Sequence, residues 1–376
     1  MHLGTSVVLK FGSNLVVRDE GGDGGGGGGG DGAWLDSVAA GIKTLKSQQK
    51  NITVVTSGAV ALGRKALKLG TKALSLEEKQ AASAAGQIVL AQRWQAALAN
   101  HGLVAAQVLL TAEDTEDRRR HLNARRTLET LHELGAIPII NENDTIATAE
   151  IRVGDNDRLA ARVAQMLSTE TLILFSDIDG LYTDNPRTNP NAQHLAVIEK
   201  ITPAIEAMAR GAITLTSTGG MITKIQAARI ATAAGCTLII ANGTGLHPLD
   251  ALIQGGRHTR FDPTTTPLSA RKRWIAGMLN LAGTLTIDAG AAKALHEGKS
   301  LLPAGITAVE GIFERGDTVG IAGSDGMLIA KGLCAYDSDE LTILKGRQTR
   351  DIAAVLGYNG RAEVVHRDDY VLLERP

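Results

Sequence analysis

Short apolar runs alternate with longer amphipathic segments through most of the chain. Each run is apolar at consecutive positions, as in strands buried on both faces of a sheet, and the intervening segments have an Ala/Leu-rich helical pattern. The predicted strands are Val7–Phe11, Ile52–Thr56, Val104–Leu110, Ile137–Ile140, Leu172–Phe175 and Leu238–Ala241. The clearest predicted helices are Leu76–Leu98, Arg118–Leu134 and Lys224–Ala234. This alternation predicts an α/β fold whose mainly parallel central sheet is covered by helices on both sides.

Each predicted strand ends in small or polar residues. The run ends read FGSN, TSGA, LTAED, INEND, FSDIDG and ANGTG. In open α/β sheets, ligands bind in the crevice outside the carboxyl ends of the strands. A single polar run end indicates only a loop, but the whole set favours a ligand-binding edge over ordinary loop chemistry.

The densest polar segment runs from Ile140 to Ala161 and reads INENDTIATAEIRVGDNDRLAA. Its acids are Glu142, Asp144, Glu150, Asp155 and Asp157, and its single base is Arg152. Asn and Asp favour turns, caps and ligand contacts over the interiors of helices and strands. The residues alone leave two interpretations open. The segment is either a solvated loop with a helix cap at Asp155 or Asp157, or the polar wall of a ligand site.

Two lysines stand where an anion would be bound. Lys10 interrupts an apolar strand, and it either snorkels to water or presents its ammonium group to a ligand. Lys224 follows the Gly219-Gly220 turn at a helix start, where the helix dipole disfavours a cation but backbone amides favour an anion. Two lysines near Gly-rich turns, with an acid such as Asp157 to orient them, suit phosphoryl transfer, which depends on positioning and charge neutralisation.

Three further segments carry weaker signals. The small residues Thr56–Ala59 suit close approach of backbone amides to a ligand, and equally suit a tight strand-to-helix turn. Asp177 and Asp179 suit ribose or metal contacts, or caps and turns. The Gly24–Gly30 run is interpreted as a flexible linker or hairpin tip, because a phosphate loop needs amides held in one geometry.

Composition excludes several classes of function. The formal net charge of -1 offers no polybasic attraction to nucleic acid or anionic membranes. No apolar run reaches the length of a membrane span, the N-terminus has no signal pattern, and no His/Cys spacing resembles a zinc site. The two cysteines, Cys236 and Cys334, lie far apart in the sequence, which fits a reducing compartment. We therefore expect a cytoplasmic protein.

The pattern of apolar and turn-forming residues changes after the stretch Arg257–Pro267. From about Gly283, short apolar pieces alternate with Gly-Asp turns, which is typical of a small β-rich domain. The predicted organisation is an α/β domain over 1–262, a linker over 263–282, a β-rich domain over 283–361 and a tail over 362–376.

Five motifs follow one another along the chain: VVLKFGSN, VTSGAVALG, INENDTIATAEIRVGDNDRLAA, SDIDGLYTDNPR and TGGMITK. In these motifs and their order the chain resembles the glutamate 5-kinase (γ-glutamyl kinase) family, whose members have the amino acid kinase fold followed by a PUA domain. LLPAGI at Leu301–Ile306 and FERGDTVGI at Phe313–Ile321 resemble the PUA part. The resemblance implies a three-layer amino acid kinase domain over 1–262 and a PUA domain over 283–361.

The resemblance also implies ATP-dependent phosphorylation of the γ-carboxylate of L-glutamate, on the route to proline. Lys10 and Lys224 match the phosphate-binding lysines, and Asp157 matches the acid that organises them. The implied glutamate-binding residues are Ser57, Asp144 and Asn156, with Asn141 nearby. The implied ATP-binding residues are Lys10, Ser176, Asp177, Thr218, Gly219, Gly220, Met221, Ile222, Thr223 and Lys224.

The family's partners are carried over as expectations. The expected cofactors are ATP and Mg²⁺, and no protein residue is assigned to the metal. The protein is also expected to form a homo-oligomer, to be inhibited by proline, and to pass its product to glutamyl phosphate reductase. PUA domains elsewhere bind RNA, but eight bases against ten acids between Gly283 and Arg361 give no electrostatic footprint for RNA. A structural or regulatory role is expected for this domain.

Two positions depart from the family pattern, and two rival functions remain. Arg152 stands where the family usually has lysine, and the Gly24–Gly30 run is unusual for the family.

One rival function is that of a kinase of the same fold that acts on another small carboxylate or carbamate. The other belongs to a different class, an RNA-binding protein built on the PUA domain.

Overall fold

The computed structural model describes residues 3–17, 31–147, 155–211, 220–278 and 280–373. The chain divides into two compact units, Met1–Pro267 and Leu268–Pro376. Arg152, the Gly24–Gly30 run, Thr218 and Gly219 lie outside the described residues. Within the described ranges, none of the helices is long and apolar enough to cross a membrane.

The first unit is built on a large sheet. The strands of the unit are β1 (Ser6–Phe11), β2 (Asn51–Val55), β3 (Ala105–Leu110), β4 (Ile137–Glu142), β5 (Thr171–Ser176), β6 (Leu181–Tyr182), β7 (His194–Leu195), β8 (Val197–Ile198), β9 (Thr237–Asn242) and β10 (His258–Phe261). β6 and β7 form a small separate hairpin, and the other strands form the large sheet. Over the described residues, the order in the large sheet is β3-β4-β2-β1-β5-β9-β10-β8. Neighbouring strands are parallel except β9 and β10, which are antiparallel. The mainly parallel sheet confirms the predicted fold class, and all six predicted strands are present within two residues of their predicted ends.

Helices cover both faces of this sheet. They are α1 (Ser13–Val16), α2 (Asp31–Ser47), α3 (Ala59–Ala66), α4 (Leu76–Asn100), α5 (Ala112–Glu116), α6 (Arg118–Glu133), α7 (Asp155–Met166), α8 (Pro203–Gly211), α9 (Met221–Ala233) and α10 (Pro248–Ile253). The three predicted helices are confirmed as α4, α6 and α9. A capping box at Ser75 and Glu78 starts α4, because each side chain bonds the other residue's backbone N–H.

Alternate residues of the central strand β1 face opposite helical layers. Val7, Leu9 and Phe11 belong to the core that includes residues of α2, α3 and α4. Val8 belongs to the core that includes residues of α7 and α9. Because side chains alternate along a strand, Lys10 lies on the same face as Val8. The strand therefore directs its lysine toward α7 and α9, one residue before its carboxyl end.

An aromatic group fixes the strand ends next to this lysine. Phe11 stacks on Phe175 of β5 with 5.2 Å between ring centroids, and it also contacts Trp34 and Trp94. The Nε1 of Trp94 donates a hydrogen bond to Thr56 Oγ1 at 3.1 Å. Aromatic pairs bury large areas and prefer defined geometries. The ends of β1, β2 and β5, from which loops leave at one edge, are thus tied into one rigid group.

Two glycines bring α3 and α4 into backbone contact. A Cβ atom on Gly86 would lie 1.8 Å from Ala59 O, and one on Gly63 would lie 1.6 Å from Ala82 O. Backbone atoms cannot rotate aside as a flexible side chain can, so a larger residue would push the helices apart. The glycine that precedes α3, Gly58, ends the loop after β2. The contact therefore sets the distance between that loop and α4.

We expect Gly86→Ala to lower the free energy of unfolding by about 1–3 kcal/mol because of overpacking. A Gly→Ala change inside a helix usually has the opposite effect, because alanine stabilises a helix by about 1 kcal/mol more than glycine does. Gly32→Ala in α2 is the matched control, because among the described residues no atom lies within 4 Å of its Cβ position. Urea unfolding gives both values, and equal free energies for the two variants would contradict the close contact.

The second unit is a small β-rich domain, as predicted. Its strands are β11 (Gly283–Ile287), β12 (Ile306–Gly311), β13 (Thr318–Ala322), β14 (Leu328–Leu333) and β15 (Tyr370–Leu372), and they form a sheet in the order β12-β11-β13-β14-β15. Its helices are α11 (Pro267–Ala276), α12 (Ala289–His296), α13 (Ser338–Leu344) and α14 (Ile352–Leu356), with 3-10 turns at Pro303–Gly305 and Thr349–Asp351. The sheet buries a core that includes Leu285, Ile287, Val319 and Ile321.

Two segments outside the predicted β-rich domain have regular structure in this unit. Helix α11 lies within 263–282, the stretch expected to be a linker, and β15 lies within 362–376, the stretch expected to be a tail. β15 pairs with β14, and Asp369 just before it forms an ion pair with Arg271 of α11. β15 is therefore part of the sheet of this unit, and α11 is bonded to the residue that precedes β15.

Candidate active site

A buried carboxylate joins two lysines at the carboxyl edge of the large sheet. Lys10 Nζ on β1 forms an ion pair with Asp157 Oδ1 in the first turn of α7. Lys224 Nζ in the first turn of α9 lies 3.1 Å from Asp157 Oδ2. The three side chains are 7%, 1% and 8% exposed for Lys10, Asp157 and Lys224. We call these residues the lysine cluster. It is a desolvated ionic group with one positive charge in excess.

Burial and mutual charge act in opposite directions in the lysine cluster. Desolvation is the largest effect on the pKa of Lys10 and lowers it; Asp157 raises it, Lys224 lowers it, and the net result is a lowered pKa. Burial raises the pKa of Asp157, but the charges of Lys10 and Lys224 outweigh that effect and hold the pKa below its ordinary range. The carboxylate therefore stays ionised at neutral pH and holds both ammonium groups at one place.

The start of α9 adds a further contact to the lysine cluster. Thr223 Oγ1 donates a hydrogen bond to Asp157 Oδ2 at 2.9 Å. Gly220 is the N-cap of this helix and offers no side-chain capping bond. The first amides of a helix need acceptors and favour anions. Met221 is buried in the core below, so the turn is anchored while its amides remain suited to an anion.

Three predicted glutamate-binding residues form a second cluster. Asn156 Nδ2 donates to Ser57 Oγ at 2.8 Å and to Asn141 Oδ1 at 3.1 Å. We call these residues the amide cluster. Gly58, beside Ser57, has φ of 117°, which glycine adopts without strain. Asn156 Oδ1 is buried and accepts no hydrogen bond from the described residues. Because a buried acceptor without a donor is costly, this atom is suited to a ligand donor.

The fourth predicted glutamate-binding residue, Asp144, lies just after β4 and is buried. Its Oδ2 accepts a 2.6 Å hydrogen bond from Ser83 Oγ on α4. Ser83 was not among the residues predicted from the sequence. The one available signal was a serine among alanines on a long helix, and that pattern is usually structural.

Ser176 and Asp177 form a separate, more exposed group after β5. Ser176 Oγ donates to Asp177 Oδ1 at 3.1 Å, and Arg187 Nη2 lies 2.9 Å from Asp177 Oδ2. Burial raises the pKa of Asp177, but Arg187 and Ser176 outweigh it and lower the net pKa. Arg187 was also not predicted from the sequence. Its partner lies ten residues earlier across a loop, a spacing that no periodic pattern identifies.

The comparisons with known proteins agree with this fold and with the β-rich second unit. The model of the amino acid kinase family matches residues 5–242, and the model of the PUA domain matches residues 283–356. The fold and these matches define a kinase of the amino acid kinase class with a C-terminal PUA domain, as predicted.

Curated relatives specify the branch of this class. The glutamate 5-kinase of Paramagnetospirillum magneticum is 53% identical over 97% of this chain and 97% of its own length. Glutamate 5-kinase 1 of Rhizobium meliloti is 54% identical over 97% of this chain and 91% of its own length. The chain belongs to the glutamate 5-kinase family. Among solved structures, the carbamate kinase of Giardia lamblia is 17% identical over 69% of this chain and 99% of its own length, with a TM-score of 0.48.

Proposed function

We propose that the protein transfers the γ-phosphoryl group of ATP to the γ-carboxylate of L-glutamate, forming L-glutamyl 5-phosphate in the first step of proline biosynthesis. The observation that supports this most strongly is the buried lysine cluster next to the amide cluster. Asn156 of the amide cluster directly precedes Asp157 of the lysine cluster in the first turn of α7. Phosphate-binding charges and polar substrate contacts are thus joined through one helix start.

The chemistry needs charge neutralisation more than proton transfer. A glutamate side chain with a pKa of about 4.3 is ionised at neutral pH, so the nucleophile requires no general base. The main obstacle is repulsion between this carboxylate and the phosphates. Lys10 and Lys224 reduce that repulsion from a desolvated position, where charge interactions are stronger than in water. Asp157 keeps the two ammonium groups at a fixed separation around the transferring group.

The substrate is recognised by the amide cluster and Asp144. Ser57 and the side-chain amides supply neutral hydrogen bonds to the substrate, which limits repulsion between a dicarboxylate and an acidic loop. The carboxylate of Asp144 is the partner for the α-ammonium group. Asn156 Oδ1, which is buried and unpartnered among the described residues, supports this assignment because a bound substrate supplies the missing donor.

ATP is assigned to the edge between β5 and α9. The proposed contacts are Ser176, Asp177, Thr218, Gly219, Gly220, Met221, Ile222, Thr223 and Lys224, of which Gly220 caps α9 and the last four begin it. The uncapped start of α9 supports this assignment, because backbone amides at a helix N-terminus bind phosphate.

Mg²⁺ is proposed to arrive with the nucleotide. Among the described residues, no group of three or more His, Cys, Asp or Glu side chains could hold a metal ion. Both Asp157 oxygens already face lysines. With its carboxylate oxygens engaged in this way, the site fits a Mg²⁺ ion bound mainly by phosphates and water, which is the usual mode of binding for this ion. The ion would neutralise charge on the phosphates, in addition to what the lysine cluster does.

The direct test is a trapping assay with the full chain. With ATP, Mg²⁺, L-glutamate and hydroxylamine, we expect γ-glutamyl hydroxamate to accumulate, because hydroxylamine captures an acyl phosphate. Omission of ATP is the control. No product with glutamate, but product with another small carboxylate or carbamate, would replace this function with that of another kinase of the same fold.

We also propose a cytoplasmic location, a homo-oligomer, feedback inhibition by proline and hand-off to glutamyl phosphate reductase. Kinase and PUA domains are proposed at 1–262 and 283–361, with the intervening linker and the tail at the boundaries given above. Family resemblance supports these proposals.

The excess of acids over bases in the PUA range supports a structural or regulatory role for that domain rather than RNA binding. The hydroxamate assay repeated with proline tests the inhibition.

A further inference from the structure

Helix α4 is hydrogen-bonded through three polar side chains to residues 142–147, the stretch that contains Asp144. Gln80 Nε2 donates to Ala147 O at 3.2 Å, Ser83 Oγ donates to Asp144 Oδ2 at 2.6 Å, and Gln87 Nε2 donates to Glu142 O at 3.2 Å. We call Gln80, Ser83 and Gln87 the α4 polar stripe.

The spacing of the α4 polar stripe explains how it reaches one segment. Residues separated by three, four and seven positions lie on the same face of a helix. The helix runs past the last residue of β4 and the residues that follow it, and each side chain bonds a different point of this stretch. The stripe therefore fixes both the backbone of this segment and the orientation of the Asp144 carboxylate.

Gln87 carries a second, independent sign of a ligand. The residue is 7% exposed, and its Oε1 is buried without a hydrogen-bond partner among the described residues. Its Nε2 must be the atom that faces Glu142 O, because a carbonyl oxygen only accepts. The remaining acceptor belongs to a side chain one helical turn from Ser83, on the helix face whose serine bonds the Asp144 carboxylate. The ammonium group of a bound substrate is a donor of the kind that this acceptor lacks.

We propose that Ser83 and Gln87 are positioning residues for the α-ammonium end of the substrate site. Ser83 fixes the rotamer of Asp144, and Gln87 fixes the backbone of Glu142 two residues earlier. Together they present the Asp144 carboxylate to the α-ammonium group before the substrate arrives. This inference rests on the proposed function, and it adds a specificity device that distinguishes an α-amino acid from the same dicarboxylate without its amino group.

Steady-state kinetics of Ser83→Ala and Gln87→Met test this role. Loss of a hydrogen bond to a charged group is expected to raise the KM for L-glutamate about tenfold in Ser83→Ala. Gln87→Met, which keeps the side-chain length, is expected to raise it several-fold by the same route. The KM for ATP and kcat should stay within about twofold, because the lysine cluster is untouched. A merely structural role would instead change all three parameters together.

Gln95→Met is the matched control, since Gln95 is exposed on the same helix and should leave all parameters unchanged. A KM for glutamate that is unchanged in both variants would overturn the inference, as would a parallel rise in the KM for ATP. Failure of the proposed function is separate: the unaltered protein would then give no hydroxamate with glutamate. Unfolding temperatures of the two variants identify any loss of fold, and the variant that stays folded decides the outcome.

Discussion

Replacing Lys224 by methionine is expected to lower kcat by about two to three orders of magnitude while leaving the fold intact. The ammonium group is a fixed positive charge in a desolvated site, and removal of one such electrostatic group commonly costs this much in rate. Stability is preserved because Asp157 keeps its ion pair with Lys10 and its hydrogen bond from Thr223. Methionine also keeps most of the buried aliphatic stem.

The measurement is hydroxamate formation at saturating ATP and glutamate, with the unfolding temperature recorded in parallel. Lys10→Met should give a loss of similar order, since both lysines share Asp157. Lys200→Met is the control, because Lys200 is an exposed lysine of the same unit. A near-normal kcat in either cluster variant would remove that lysine from the mechanism.

Replacing Asp157 by asparagine is expected to damage both activity and stability. The variant leaves two buried ammonium groups without an anion, and breaking a buried ion pair from one side costs about 3–5 kcal/mol. The lysines are also no longer held together, so kcat should fall. ATP should raise the unfolding temperature of this variant more than that of the unaltered protein, because phosphate supplies the missing anion. An unfolding temperature equal to that of the unaltered protein would contradict the role of Asp157.

Acid conditions provide a second measurement of the same contact. The folded-state pKa of Asp157 lies below the unfolded value, near 3.8, so its stabilising contribution is complete above that pH and is lost as the pH falls toward the folded-state pKa. The stability difference between the unaltered protein and Asp157→Asn should therefore be constant near neutral pH and shrink in acid. A difference that grew on acidification would contradict the lowered pKa.

Much of the fold follows from the sequence, because it depends on periodic signals. Runs such as Leu172–Phe175 are apolar at consecutive positions, which predicts a strand buried on both faces, and observed β5 extends one residue further at each end. Regular structure at α11 and β15 was not predicted. α11 has ten residues and β15 has three, too few for a clear periodic signal. Their bonds, such as that between Arg271 and Asp369, join residues far apart in sequence.

The candidate site was predictable in composition but not in its pairing. From residues alone, Asp157 was as easily a helix cap as a ligand of lysines, and only the three-dimensional arrangement brings Lys10 and Lys224 to its two oxygens. The sequence signal for Ser83 was too weak to use, because one serine in an alanine-rich helix usually has no special role. Its contact with Asp144 depends on how closely α4 approaches β4, which no local pattern encodes.

The lysine cluster also makes catalysis a reporter of folding. Lys10 lies on the first strand of the kinase unit, Asp157 lies past its middle, and Lys224 lies near its end. Contacts between residues so distant in sequence form late, because closure of long loops is entropically costly. During refolding, recovery of activity should lag behind recovery of helical circular dichroism. A chain emerging from the ribosome would contain the strand, the carboxylate and most of the sheet before it could carry out any chemistry.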